Sequence, residues 1–225
     1  IFVNPTQFNE ASDLEKYPRT PERDALMLRM LKADALFIPA ASEIYPKEAV
    51  KRPDFQLSHL TNVLEGHYRT GHFDGVIEVM YRLLTLVQAD RVYMGLKDFQ
   101  QQAIIASMLE QMKVNTTLVP CAIIREVDGL AMSSRNVRLT AAQRSVATTI
   151  YHTLIEAKEK WNRRRAAPEI QKTAIETLEK VGFKVDYFEI VNARTLQAAT
   201  AFEEVTRACV AAWLGEIRLI DNIEL

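Results

Sequence analysis

Two cysteines, Cys121 and Cys209, are all that the 225 residues contain. That is too few for a disulfide framework, and they lack zinc-ligand spacing, so a reducing cytosol is the expected compartment. No uninterrupted apolar run approaches the ~20 residues that cross a bilayer, so no membrane role is expected. An excess of charge is also missing: 28 Lys plus Arg face 29 Asp plus Glu, for a formal net charge of −1. A dedicated nucleic-acid binder would carry a basic surplus, whereas a local cluster of cations around one phosphate remains compatible. His59, His67 and His152 share no spacing with carboxylates or cysteines, so no protein-built metal site is expected. The start, Ile1-Phe2-Val3-Asn4-Pro5, has neither an initiator Met nor a signal-peptide pattern. It reads as a strand joined in the middle, and a preceding segment is expected.

What is present is an ordinary globular composition, 48% apolar and 25% charged, enough for one large domain or two modest ones. Residues 1–3 read as a short buried strand stopped by Asn4-Pro5, followed by a polar loop with Tyr17-Pro18-Arg19. Thr20-Pro21-Glu22 starts a helix through Leu31, and Ala35 to Ile38 reads as a second strand ended by Pro39. Val76, Val79, Met80, Leu83, Leu84 and Val87 recur at helical spacing, and a strand follows over 91–95. A helix over 99–112 leads into a strand over 115–124. Helices alternating with buried strands predict an α/β fold with a Rossmann-like doubly wound parallel sheet. After Asn136 the pattern changes. One helix is expected over 139–161 and another over 168–181, with strands over 185–191, 209–214 and 217–220. This is a smaller α+β unit, and the division is placed at 1–123 and 124–225.

Ligands of an open parallel sheet sit beyond the carboxyl ends of its strands, and three polar clusters fall at such ends. In Asn4-Pro5-Thr6-Gln7-Phe8, Gln7 offers both donor and acceptor to a substrate bearing hydroxyls and a carboxylate; a plain Asn-Pro turn is the simpler account. In Gly95-Leu96-Lys97-Asp98-Phe99-Gln100-Gln101, Lys97 offers a cation to phosphate and Asp98 an acceptor to ribose hydroxyls. Gln101 shares the face of Lys97, one turn on. A capped helix start with a solvated lysine would look the same. In residues 128–136, an Asp-Gly turn precedes Met132-Ser133-Ser134-Arg135-Asn136, whose hydroxyls and guanidinium suit a polyphosphate; a polar loop with a capping serine is the alternative. A fourth segment places three glycines around Arg69 and His72, before a helix. It could bend toward a phosphate, or His72 could be structural. Arg163-Arg164-Arg165 reads as a solvated helix end, and Trp161 and Trp213 as core or interface residues.

Taken together these blocks resemble the pantothenate synthetase (pantoate–β-alanine ligase) family. The resemblance is carried by residues 2–8 and 17–19, Leu64-Glu65-Gly66 with Arg69, residues 71–76, 95–101 and 128–136, and Arg218-Leu219-Ile220-Asp221-Asn222. It implies a cytoplasmic, typically homodimeric enzyme that uses ATP as a substrate and depends on Mg²⁺. Pantoate would be adenylated with release of pyrophosphate, and β-alanine would then displace AMP. By resemblance Gly95, Leu96, Lys97, Asp98, Ile124, Met132, Ser133, Ser134 and Arg135 contact ATP, with Ile124 beside the adenine and Asp98 on the ribose. Gln7 and Gln101 hold pantoate, and Gln7 also lies near β-alanine. Lys97 and Arg135 are the expected catalytic cations. Asn4, Tyr17, Glu65, Arg69 and His72 would line the pocket, and residues 124–225 would act as a lid over the phosphates.

Two positions depart from the family pattern: Leu96 where Glu is usual, and Thr70 where Pro often follows the arginine. The family's His-x-Gly-His segment, with its catalytic histidine, would precede Ile1. The resemblance therefore implies an N-terminal extension of roughly 30 residues or more, a first βα unit, without which the chain is expected to be inactive. Two other readings are weighed. Another adenylyl-transferring nucleotidyltransferase would take a phosphate acceptor and more cations than the paired Gln7 and Gln101 suggest. A non-catalytic nucleotide-binding remnant fits poorly with Lys97, Gln101 and Ser133 to Arg135 all being in place.

Overall fold

The structure, a computed structural model, describes residues 2–8, 11–48, 51–200, 202 and 205–225. Short helices open the chain: α1 (Ala11–Lys16), α2 (Pro21–Met30), α3 (Ala41–Ile44), α4 (Ser58–Thr61) and α5 (Glu65–Tyr68). The long α6 (His72–Val87) leads to β1 (Arg91–Gly95), and α7 (Phe99–Met112) crosses over to β2 (Thr117–Cys121). Then come α8 (Ala141–Ala147), α9 (Thr149–Asn162), α10 (Ala167–Lys180), β3 (Lys184–Asn192), β4 (Thr206–Leu214) and β5 (Ile217–Glu224). Strands β1 and β2 pair in parallel from Arg91 with Thr117 to Gly95 with Cys121. Strands β3, β4 and β5 form an antiparallel sheet in that order. The expected α/β class thus holds, with parallel strands and helices followed by a small antiparallel unit.

Several expected elements change. Ile1 lies outside the described residues, and residues 2–4 have no regular structure. Residues 35–38 are not a strand: no neighbouring segment pairs with them among the described residues, and Leu36, Phe37 and Ile38 are exposed. A β-prone run becomes a strand only with a partner to complete its ladder. The expected loop before Tyr17 contains α1 instead. The single helix expected over 139–161 is divided at Thr148 into α8 and α9. The former starts with a capping box: the Thr140 hydroxyl accepts from the Gln143 amide, and the Gln143 side chain accepts from the Thr140 amide. Helix α10 ends as Gly182 adopts φ +95°, while the Gly182 and Phe183 amides donate back to Glu179 and Leu178, a Schellman end.

Alternation along the antiparallel sheet explains how the two parts join. Tyr187, Val191, Cys209 and Ala211 pack into one core with Phe73, Val76, Phe99, Ile104 and Ile105. Their neighbours Phe188, Ile190, Ala208, Val210 and Ala212 pack into a second core with Leu154, Trp161, Ile170 and Leu178 of α9 and α10. Successive side chains of a strand point to opposite faces, so one sheet serves both cores, and its central strand β4 reads as a continuous apolar run from Ala208 to Leu214. Full burial of Cys209 pushes its thiol up to about 12, which leaves it an inert packing residue.

Candidate active site

Strand β1 ends at Gly95, one 3₁₀ turn covers Leu96–Asp98, and α7 begins at Phe99. Lys97 and Asp98 on that turn line two neighbouring spaces. One is a small cavity of about 40 Å³, with Glu65, Arg69, His72 and Gln101 in its wall. The other is a cleft of about 920 Å³ that also includes Glu65, Arg69, Ser133 and Arg135. Its size lies near the top of the ~300–1,000 Å³ range of small-molecule sites. Three segments far apart in sequence therefore converge, and Lys97 is common to both spaces.

Glu65 is the electrostatic centre of the wall. The Arg218 guanidinium donates to its two oxygens at 2.6 and 2.9 Å, the Tyr187 hydroxyl donates at 2.8 Å, and Arg69 lies 3.6 Å away. Burial pushes the Glu65 carboxyl up, but Arg218 outweighs it and holds the group below the ordinary carboxylate value. Arg218 also donates to Asp186 at 2.7 Å, and Asp186 accepts from the Trp213 indole at 3.1 Å. Gln100 secures the other side: its carbonyl accepts from the Glu65 amide, and its NH₂ donates to the Leu60 and Val63 carbonyls. Within the polar run after Gly95, Gln100 is thus a buried scaffold residue, while Gln101 reaches the cavity.

Residues 124–132 form a tight hairpin, with Met132 donating to the Ile124 carbonyl and Gly129 at φ +90°. A Cβ on Gly129 would come within 2.1 Å of the Tyr151 ring, so the Asp-Gly turn demands glycine. The hairpin delivers the 3₁₀ helix Ser134–Arg138 to the cleft, with the Ser133 hydroxyl accepting from the Arg135 amide. The Ser134 hydroxyl meets the Tyr17 hydroxyl at 3.1 Å, and the Arg135 guanidinium lies 5.1 Å over the Tyr17 ring. Asp13 pairs with Arg135 at 2.7 Å and with Arg138 at 3.1 Å. Burial raises the Asp13 carboxyl, and the two arginines pull it below its ordinary value.

Other expected site residues stand back from these two spaces. Asn4 is buried, accepts from the Tyr45 hydroxyl at 2.6 Å, and donates to the Gly75 carbonyl and to the Gln7 side chain at 3.2 Å each. Gln7 is absent from the walls of both spaces and meets the inner one only through His72, whose Nδ1 lies 2.8 Å from the Gln7 carbonyl. Gly95 faces open space, and the Leu96 carbonyl is bonded to Asn222. Ile124 and Met132 are exposed, their side chains outside both spaces. Gly75 near His72 serves backbone packing, since a Cβ there would come within 2.2 Å of the Thr6 carbonyl oxygen, while Gly71 faces open space and takes φ +79°.

Burial, then the nearby Arg69 cation, lowers the His72 pKa to about 4. The neutral ring therefore donates from Nδ1 to Gln7. Because the folded value is lowered, protonation favours the unfolded chain, and stability falls as pH drops from about 6.5 toward 4. The His72 ring resonances are expected to stay at the neutral position from pH 8 to pH 5 in an NMR titration. A midpoint near 6.5 would show that the ring is solvated instead.

Comparison with known proteins adds a decisive finding. A family model described as pantoate-beta-alanine ligase matches residues 1–224. The chain belongs to the pantoate–β-alanine ligase family. It is 43% identical to the pantothenate synthetase of Bacteroides thetaiotaomicron over 227 residues, spanning all of this chain and 79% of that protein. It is 42% identical to that of Porphyromonas gingivalis, over 100% of this chain and 80% of the relative. The structure of the Thermus thermophilus pantothenate synthetase superposes with a TM-score of 0.94 at 38% identity, covering 100% of this chain and 81% of that one. The Francisella tularensis ligase complexed with beta-gamma ATP and beta-alanine superposes with a TM-score of 0.78 at 32% identity, covering 100% and 77%. In this ligase chain, sequence reasoning missed the roles of Asp13, Arg138, Asp186, Tyr187 and Arg218 in the site wall. Their partners lie up to 153 positions away, so no local pattern could have announced them.

Proposed function

We propose that the shared cleft joins pantoate to β-alanine at the expense of ATP, through a pantoyl-adenylate. The reading is carried by one observation: Lys97 and Asp98 face both the Gln101 cavity and the Ser133–Arg135 side of the cleft. That juxtaposes a place for a polar acid with a place for phosphates.

In the first step the pantoate carboxylate attacks the α-phosphorus of ATP and pyrophosphate leaves. The nucleophile is already ionised, so the work is positioning and charge neutralisation. Lys97 and Arg135 supply the positive charge, with Ser133 and Ser134 as neutral donors. Arg135 reaches a phosphate by sharing or leaving Asp13. Asp98 takes the ribose hydroxyls, Gly95 and Leu96 present main chain to the nucleotide, Ile124 lies beside the adenine, and Met132 belongs to the second ATP loop with Ser133, Ser134 and Arg135. Gln101 and Gln7 hold pantoate, with His72 fixing the Gln7 main chain. In the second step the free amine of β-alanine, near Gln7, attacks the acyl carbon, AMP leaves, and the nitrogen loses a proton. Asn4, Tyr17, Glu65 and Arg69 support these groups. Residues 1–123 form the nucleotide and pantoate domain, and residues 124–225 form the lid.

Mg²⁺ would be held mainly by the phosphate oxygens of a bound nucleotide and would neutralise part of their charge. No group of three His, Cys, Asp or Glu able to hold a metal occurs among the described residues, and phosphate oxygens with water are the usual shell of this ion. The enzyme is read as a cytoplasmic homodimer; among the described residues no helix is long and apolar enough to cross a membrane.

The test is isotope exchange between pyrophosphate and ATP in the enzyme extended by the N-terminal His-x-Gly-His segment that the resemblance implies. Exchange is expected to require pantoate and not β-alanine, and adding β-alanine should release AMP and pantothenate. Exchange that instead requires a phosphorylated acceptor would replace this reading with that of a different adenylyltransferase.

A further inference from the structure

We infer that Asn222 is a positioning residue for Lys97, acting across the junction between the antiparallel sheet and the parallel strands. The inference rests on the ligase reading of the cleft. Lys97 sits on a single 3₁₀ turn, and an isolated turn of that kind is weakly held by its own hydrogen bonds. Its two leading carbonyls are gripped from β5: the Asn222 NH₂ donates to Leu96 O at 2.9 Å and to Lys97 O at 3.0 Å.

The grip has a fixed direction. The Asn222 side-chain oxygen accepts from Arg207 at 2.8 Å, so the NH₂ end must face the turn. Arg207 also lies 4.6 Å over the ring of Phe99, the first residue of α7. The Asn222 main chain is held in turn: its amide donates to Asp221 at 2.8 Å, and Asp221 accepts from Arg125 at 2.6 and 2.9 Å. Asn222 is only 3% exposed. Both protons of its NH₂ are committed to the turn and its oxygen to Arg207, although it borders the inner cavity. It therefore acts on the reaction through the placement of Lys97 rather than by touching substrate. A shift of ~1 Å in a positioned group can cost about 10²-fold in rate, which is the scale at stake.

The experiment is a double-mutant cycle in the enzyme carrying the N-terminal segment that the resemblance implies, read by pantoate-dependent pyrophosphate exchange and by amide hydrogen exchange. Asn222→Ala is expected to lower kcat by roughly 10–100-fold, with the KM for ATP changed less than about threefold. The same change made in Lys97→Ala is expected to cost less than about threefold, because the group it positions is gone. Amide exchange at 96–98 should accelerate about tenfold or more, while that of β1 is unchanged. Equal losses in both backgrounds, or unaltered exchange at 96–98, would overturn the inference. If Asn222→Ala does not fold, Asn222→Asp keeps the size and the Arg207 contact without the two donated bonds, and carries the same comparisons at pH 8. Absence of pantoate-dependent exchange in the unmodified enzyme would refute the ligase reading alone; the amide data would then decide the positioning claim.

Discussion

Replacing Lys97 with alanine is expected to slow pantoate-dependent pyrophosphate exchange by roughly 10²–10³-fold. Carboxylate attack on the α-phosphate brings two anions together, and negative charge builds on the departing pyrophosphate. Lys97 borders both the cavity that contains Gln101 and the cleft that contains Arg135, so it is placed to bridge those charges. A preorganised donor removed from such a site typically costs about 3–4 kcal/mol of transition-state stabilisation. The loss should appear mainly in kcat, because the benefit is largest where charge develops. Lys97→Arg should recover little, since a planar guanidinium on a three-residue turn cannot reproduce a compact ammonium. Exchange by Lys97→Ala within about threefold of the parent would remove Lys97 from the mechanism.

Arg218→Ala is expected to be the most damaging single change to stability, by about 3–5 kcal/mol in urea-induced unfolding. It strips the buried Glu65 carboxylate of its bidentate partner and leaves Arg69, 3.6 Å away, as the remaining cation. Asp186 and, through it, Trp213 lose the same anchor. The pH dependence follows from the sign of the shift. In the parent, Glu65 is held below its ordinary value, so its contribution is present above about pH 4.3 and is lost as pH falls through the folded value. In the variant, burial without Arg218 raises the group, so protonation relieves the penalty and the gap to the parent should narrow on acidification. Glu65→Gln added to Arg218→Ala should restore part of the stability by removing the stranded charge. A destabilisation below about 1 kcal/mol, unchanged between pH 7 and pH 4, would show that the pair is solvated and weak.

The elements visible in the sequence are those whose signal is local. The apolar spacing from Val76 to Val87 produced α6, and Asp128-Gly129 produced a turn that tolerates no other residue, whereas the break at Thr148 between α8 and α9 had no such signal. The run Leu36-Phe37-Ile38 misled because its composition suits a strand, yet a strand exists only when another chain segment accepts its hydrogen bonds. The same holds for the site. Lys97, Asp98, Gln101, Ser133 and Arg135 stood out as dense polar clusters at element ends, and they do converge. Asn4 stood out as well, but its distinction is structural: it caps a turn, and Gly75, one of the glycines around His72, lets that turn approach α6.

The order of the polar blocks, the alternation of helix and strand, and hence the family were already determined by the chain as a string of residues, because each depends on neighbours within a few positions. Tertiary structure alone decided which charge meets which. Glu65 finds Arg218, Arg135 finds Asp13, and the Lys97 turn finds Asn222, over separations of 153, 122 and 125 positions. Such pairings follow from how two packed units face each other, and side-chain chemistry by itself offers each arginine many equivalent carboxylates.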